Sequence, residues 1–120
     1  MGLTLEQIAG ICYAANRAYC KALGDDTQLP WNEALARQRR SAIDRVVIAL
    51  HKPDATPEYH HNEWLREKEA GGWRYGPVED ATKREHPCMV LYDSLPAEQR
   101  RKYHMFMGIV RALTWPTQTY

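Results

Sequence analysis

The fold is read first from His61-Asn62-Glu63-Trp64-Leu65-Arg66-Glu67-Lys68-Glu69-Ala70-Gly71-Gly72-Trp73-Arg74-Tyr75-Gly76-Pro77-Val78. Over its first ten residues His61, Trp64, Leu65 and Lys68 stand at i, i+3, i+4 and i+7, which lays an imidazole, an indole and an ammonium along one helix face. Gly71-Gly72 ends that helix, and Trp73 to Val78 reads as a short extended run. The glycines there bring backbone close to whatever lies beside the rings of Trp73 and Tyr75. Aromatic faces next to cations suit a planar, anionic ligand. Stacking on a base contributes about 1 to 3 kcal/mol per ring, and a cation adds a charge-assisted hydrogen bond to phosphate. The competing expectation is packing: Trp64 sits inside an amphipathic helix and is assigned to the core, as is Trp31 across helix ends, whereas a glycine-flanked Trp73 fits either role.

Upstream, Thr56-Pro57 opens this third helix with a cap and a proline at the first helical position. A second helix carries Ile43, Val46, Val47 and Leu50 toward the core; Asn32 and Ser41 are both good caps, and its firm part is expected after Ser41. Thr4 and Gln7 form a capping-box pattern for a first helix from about Leu5 to Leu23, with Ile8, Ile11, Cys12, Ala15, Ala18, Tyr19 and Ala22 at helical spacing. Gly24-Asp25-Asp26 ends it, and Leu29-Pro30-Trp31 is an extended linker. Downstream, a second extended run, Cys88 to Tyr92, would pair with the first as a small antiparallel hairpin with a long loop. Ser94 then caps a last helix with Pro96 in its first turn and Tyr103, Phe106, Met107, Val110 and Leu113 as its buried stripe. No internal repeat stands out. The fold class expected is mainly α with a small antiparallel β-hairpin, one domain over residues 1–120 with its core at 5–113 and a loose tail at 114–120.

At 120 residues the chain has the length of one domain, and its 44% hydrophobic and 26% charged residues are near the globular average. Sixteen Lys plus Arg against fifteen Asp plus Glu give a formal charge of +1, which argues against duplex nucleic acid as partner. The basic clusters at Arg37, Arg39, Arg40 and Arg45, at Lys83 and Arg84, and at Arg100, Arg101 and Lys102 read as solvated faces. No apolar run approaches the roughly 20 residues of a membrane span, and Met1-Gly2-Leu3-Thr4 lacks a signal-peptide core, so no membrane partner and a cytoplasmic setting are expected. Cys12, Cys20 and Cys88, odd in number and not closely paired, suit a reducing compartment, with Cys12 as core.

His61-Asn62-Glu63-Trp64 through Lys68, Gly72-Trp73-Arg74-Tyr75-Gly76-Pro77-Val78, His86-Pro87-Cys88 and Tyr92-Asp93-Ser94-Leu95-Pro96 together resemble the repeat domain of ryanodine receptors, the RyR domain, over roughly residues 7 to 113. The stretch from Ile8 through Asn16-Arg17 to Pro30-Trp31 resembles its free-standing bacterial and phage members. The resemblance implies helices packed on a small antiparallel sheet and no channel activity in an isolated copy. In the receptors such repeats occur as pseudo-twofold pairs, and a receptor pair can bind an adenine nucleotide near the tryptophan of its Gly-Trp-x-Tyr-Gly motif, which Trp73 matches. A lone copy would recreate the pair as a homodimer. The free-standing members resemble sensors of nucleotide-derived signals, some in defence-related settings.

The function expected is therefore a binding module that senses or sequesters a nucleotide-like small molecule, without cofactor or metal. Trp73 would stack on the ligand, Tyr75 and Trp31 would shape the pocket, and Lys68 and Arg84 would carry the charge, with His61, Lys83 and Arg17 as further candidates. Its main rival is a protein-interaction module using the same aromatics, since Trp, Tyr and Arg make interface hot spots. A metal site from His60, His61, His86 and His104 with Cys88 lacks the close spacing of zinc ligands. Hydrolysis by Glu63, Glu67 or Asp80 with His61 or His86 as acid or base lacks any phosphate-loop or nucleophile motif beside it. The simpler account of His86-Pro87 is an imidazole satisfying a loop carbonyl, and of Asp93-Ser94 a helix cap.

Overall fold

In the computed structural model, which describes residues 2–114, Thr4 opens helix α1 (Leu5–Ala22) with the expected capping box. Its Oγ1 accepts from the Gln7 N–H, and its own N–H donates to Gln7 Oε1. Gly24, at φ 97°, then closes α1. The Gly24 and Asp25 N–H groups donate to the Lys21 and Cys20 carbonyls, the double bond of a Schellman motif, which needs a left-handed residue in the middle. Of the tail expected at 114–120, Thr114 is the last residue of the final helix, and the rest lies outside the described residues.

The chain divides into two units. One holds the described residues up to Asp54 and those from Met105 onward; the other is Ala55–His104. The first unit contains α1, a 3-10 turn (Trp31–Glu33), helix α2 (Ala36–His51) and the second part of the last helix, α4 (Ala97–Thr114). Ile8, Ala9 and Cys12 of α1, Val46 and Ala49 of α2 and Val110 of α4 form its core, with Trp31, Ala42, Ile43, Phe106, Ile109 and Leu113 against them. Each fully buried Ile or Val contributes about 1.5 to 3 kcal/mol. Four residues of the expected apolar faces are exposed instead: Ala18 and Ala22 toward the end of α1, Ile11, which lies off the stripe centred between Ile8, Ala9 and Cys12 and is 41% exposed, and Leu50 in the last turn of α2 at 39%.

Helix α2 starts at neither expected cap. Trp31–Glu33 winds into the 3-10 turn, and the α-helix begins at Ala36 after Leu35, whose N–H donates to Gln38 Oε1. A glutamine three residues into the helix thus does the capping from inside, which a search for Ser, Thr, Asp or Asn in front of the helix misses. The last helix also follows a 3-10 turn, but without such a cap, since Pro96 has no N–H. Tyr92–Ser94 is a 3-10 turn, Ser94 does not cap α4, and the Pro96 carbonyl accepts from the Gln99 and Arg100 N–H groups. The two starts share a sequence: Ala36-Arg37-Gln38-Arg39-Arg40 and Ala97-Glu98-Gln99-Arg100-Arg101 each follow a 3-10 turn and a buried residue, Ala34 or Leu95. Arg39 Nη1 turns back to the Asn32 carbonyl and Arg100 Nη1 to that of Leu95.

In the second unit, helix α3 (Pro57–Ala70) begins as expected, with Thr56 Oγ1 accepting from the Tyr59 N–H and Pro57 at the first position. Two short strands follow, β1 (Arg74–Tyr75) and β2 (Glu85–His86), then the Tyr92–Ser94 turn and the first residues of α4. The mainly α class with a small sheet holds, but the pairing direction does not. Arg74 lies opposite Glu85 and Tyr75 opposite His86 in parallel register, and Cys88 to Tyr92 is not a strand. The reason is an additional reversal: Asp80 and Glu85 exchange both backbone hydrogen bonds in an antiparallel bridge, so the chain turns once before that bridge and again within it. Two reversals restore the original direction.

Candidate ligand-binding site

The end of α3 builds the site. The Trp73 N–H donates to the Lys68 carbonyl and the Gly72 N–H to that of Glu69, a second Schellman motif with Gly72 at φ 83°. In this motif the residue after the left-handed glycine meets the residue five positions before it. Those residues are Trp73 and Lys68, and the contact usual between two apolar side chains is here a cation–π pair, with the Lys68 ammonium 4.5 Å from the Trp73 ring centre and 5.9 Å from that of Trp64. The spacing of glycines at a helix end thus sets the ammonium over the indole.

Arg84 reaches the Gly71-Gly72 turn from the following loop. Asp80 Oδ1 accepts from the Thr82 and Lys83 N–H groups and shapes the loop, which closes with Arg84 at φ 55°. A left-handed arginine costs about 1 to 2 kcal/mol relative to its usual conformation. That backbone sends its guanidinium back to Gly71, where Nη1 donates to the carbonyl at 3.2 Å, and a Cβ on Gly72 would meet the same nitrogen at 3.2 Å. Gly76 is needed for another reason: a Cβ there would collide with the Glu85 side chain across the β1–β2 pair. The glycines of this stretch therefore serve the helix end and the strand pair. The N–H groups of Gly71, Gly72 and Trp73 are all spent on α3 carbonyls, so any anion at this turn would have to be met by side chains.

Beneath Trp73 runs a chain of rings. His86 lies 6.4 Å from Trp73 and meets Trp64 edge-on at 5.1 Å; Trp64 stacks on His61 at 5.6 Å; His61 meets Tyr103 at 5.4 Å. His61 is fully buried, and both its nitrogens are used. The Val90 carbonyl, 2.7 Å from Nε2, can only accept, so the ring proton sits on Nε2 and Nδ1 accepts from the Tyr103 hydroxyl at 2.7 Å. Burial holds its pKa below the ordinary value against the opposing pull of the Val90 carbonyl. His61 is thus a ring of the interior with nothing left to offer a ligand. His86 differs from its simple account as well: its Nδ1 accepts from the Cys88 N–H at 3.0 Å instead of donating to a carbonyl. Sequence reasoning had not placed it beside the tryptophans, and nothing short of the strand register shows it there.

The remaining candidates separate. Tyr75 is 57% exposed on β1, and Lys83 is exposed on the loop before Arg84. Trp31 and Arg17 belong to the first unit. The Trp31 indole covers Gly10, whose Cβ would meet it at 3.0 Å, and packs on Tyr13 at 5.3 Å beside a groove along Leu3, Gln7, Gly10, Ile11 and Ala14. Arg17 Nε donates to the Gln28 carbonyl at 2.8 Å and, with the Tyr13 hydroxyl on the Leu29 carbonyl, ties the 25–30 loop to α1. Cys12 is core, as expected, its thiol pushed up to about 11 by burial. Among the described residues no three His, Cys, Asp or Glu side chains gather as a metal site would require, and no helix is long and apolar enough to cross a membrane.

The ring cluster, the Gly72-Trp73 turn, the 80–85 loop and α4 through Thr114 all lie inside one match to a known family. A family model described as the RyR domain matches residues 50–115, more than half of the chain.

Proposed function

The chain belongs to the RyR domain family, and from that premise we propose that it is a binding module that senses or sequesters a nucleotide-derived small molecule. The observation that carries the reading is the Lys68 ammonium 4.5 Å over the half-buried Trp73 ring, held there by the helix end, with the Arg84 guanidinium beside the same turn. A planar base stacks on Trp73 while its phosphate meets Lys68 and Arg84, and a cationic ring is repelled by the same pair. Tyr75, two residues on in the extended run, and Lys83 border the site. Two copies close it as a homodimer. Three free thiols, Cys12, Cys20 and Cys88, support a cytoplasmic setting.

A thermal-shift screen of adenine nucleotides, ADP-ribose derivatives and cyclic dinucleotides tests this reading. A ligand at a hundred times its Kd stabilises by about 2.7 kcal/mol, and a melting shift of several degrees follows. The expected hit disappears in Trp73→Ala, keeps the dimer and returns the ligand intact; consumption of the ligand would indicate an enzyme instead.

The second reading, a protein-interaction module, is favoured by Tyr75 at 57%, Val78 at 68% and Leu91 at 73% exposure in the same unit. In that case no nucleotide shifts the melting curve, and Trp73→Ala disrupts the dimer or partner complex first.

A further inference from the structure

His86 sits where the proposed ligand site meets the interior. Its ring faces Trp64 and Trp73; Lys68 acts on it from α3, Lys102 from α4 and Glu79 from the preceding loop, with Glu79 Oε1 3.6 Å from Nε2. Cys88 follows in the turn, its thiol raised by burial, with its backbone N–H on Nδ1. Because that N–H only donates, Nδ1 is an acceptor in the neutral ring and the proton stays on Nε2, toward Glu79. A second proton on Nδ1 would face the Cys88 N–H head-on. Protonation therefore has two requirements: the His86-Pro87-Cys88 turn must give up one hydrogen bond, and the positive charges of Lys68 and Lys102 must be tolerated.

We propose, resting on the reading above, that His86 couples ligand binding at the Trp73–Lys68 pair to proton uptake: an anion drawn to Lys68 lets the imidazole charge, so binding tightens as pH falls. In the free protein burial lowers the His86 pKa, Glu79 works against that, and Lys68 and Lys102 add to it. An anionic group on Lys68 offsets one of the two repelling cations and raises the pKa in the complex. With the bound value above the free one, affinity is lowest above both, rises as pH drops through the bound value, and levels off below the free value. Glu79 supplies the partner for the charged ring.

The test uses the full chain and ADP-ribose, whose pyrophosphate does not titrate between about pH 5 and 8. His86 is titrated by NMR in wild type and in Lys68→Met, and ADP-ribose affinity is followed across the same range. Lys68→Met is expected to raise the His86 pKa without any ligand. ADP-ribose is expected to raise it in wild type but not in Trp73→Ala, and to bind about three- to tenfold more tightly at pH 5.5 than at pH 7.5. His86→Asn, whose Oδ1 can still accept from the Cys88 N–H, should bind with no such dependence. Trp73-dependent binding that is flat with pH, or a dependence that survives His86→Asn, overturns the coupling and leaves the ligand reading standing. An unmoved His86 pKa in Lys68→Met overturns the coupling at its source. Absence of Trp73-dependent binding at every pH overturns both.

Discussion

A buried imidazole with both nitrogens engaged makes the second unit sensitive to acid. Unfolded histidine titrates near 6.5, and burial sets His61 and His86 below that in the fold. The unfolded chain binds more protons, so this contribution to stability is full above about pH 6.5 and is lost as pH falls through the folded values. The urea midpoint is expected to drop steadily from about pH 7 to 5. Tyr103→Phe removes the hydroxyl that His61 Nδ1 accepts from and should cost about 1 to 3 kcal/mol at neutral pH by the same measurement. Arg84 is the complementary case, a residue whose backbone and charge can be separated. Arg84→Gly and Arg84→Ala both discard the charge, but glycine accepts φ 55° and alanine does not, so the glycine variant should be more stable by about 1 kcal/mol in chemical denaturation while both bind ligand equally poorly. The helical spacing placed His61 and Trp64 on one face and gave the tryptophan to the core; it could not tell that His61 is buried with both nitrogens engaged, because that depends on acceptors such as Val90 and donors such as Tyr103 far along the chain.

Elements whose ends carry their own chemistry were legible, and those held by distant partners were not. Thr4 with Gln7, Thr56 with Pro57, and the glycines at 24 and 72 marked α1 and α3 to within a residue or two, because capping is settled by neighbours in sequence. The start of α2 was missed because Gln38 caps from inside the helix, and the start of α4 because Pro96 leaves Ser94 in a 3-10 turn. The strand direction was missed because it depends on the Asp80–Glu85 bridge, which no two-state pattern of apolar and polar residues encodes. For the site, the tryptophan and lysine that meet were both named from sequence, and their meeting follows from the helix-end motif. Gly76→Ala is expected to break the β1–β2 pair and cost more than Gly72→Ala, because Glu85 blocks the first whereas the second strains one turn by about 1 to 2 kcal/mol. Trp73 fluorescence should change in the Gly72 variant, since the same turn holds its ring under Lys68; an unchanged spectrum would mean that the cation–π pair does not need the cap.

At the scale of the molecule, the range that matches the family model and the range that makes a complete core are different. Residues 50–115 carry the whole second unit and α4, yet the α4 residues Phe106, Ile109, Val110 and Leu113 pack on Ile8, Ala9 and Cys12 of α1 and on Ala42, Ile43, Val46 and Ala49 of α2. A fragment of residues 50–115 therefore leaves that stripe uncovered, Val110 included, which is 3% exposed in the full chain. It is expected to bind a hydrophobic dye and to lose near-ultraviolet dichroism while keeping helical signal. Native-like dispersion in its NMR spectrum would show that the second half of α4 needs no cover. The first unit is interrupted in sequence by the fifty residues Ala55–His104, and this matters on the ribosome. At roughly 5 to 20 residues per second, α1 and α2 emerge about 3 to 10 s before the strand of chain that completes their core. During that interval the nascent helices present an open apolar seam to whatever is near, so chaperone dependence in the cell should be concentrated on residues 5–51, which leave the ribosome fifty residues ahead of the segment that finishes their core.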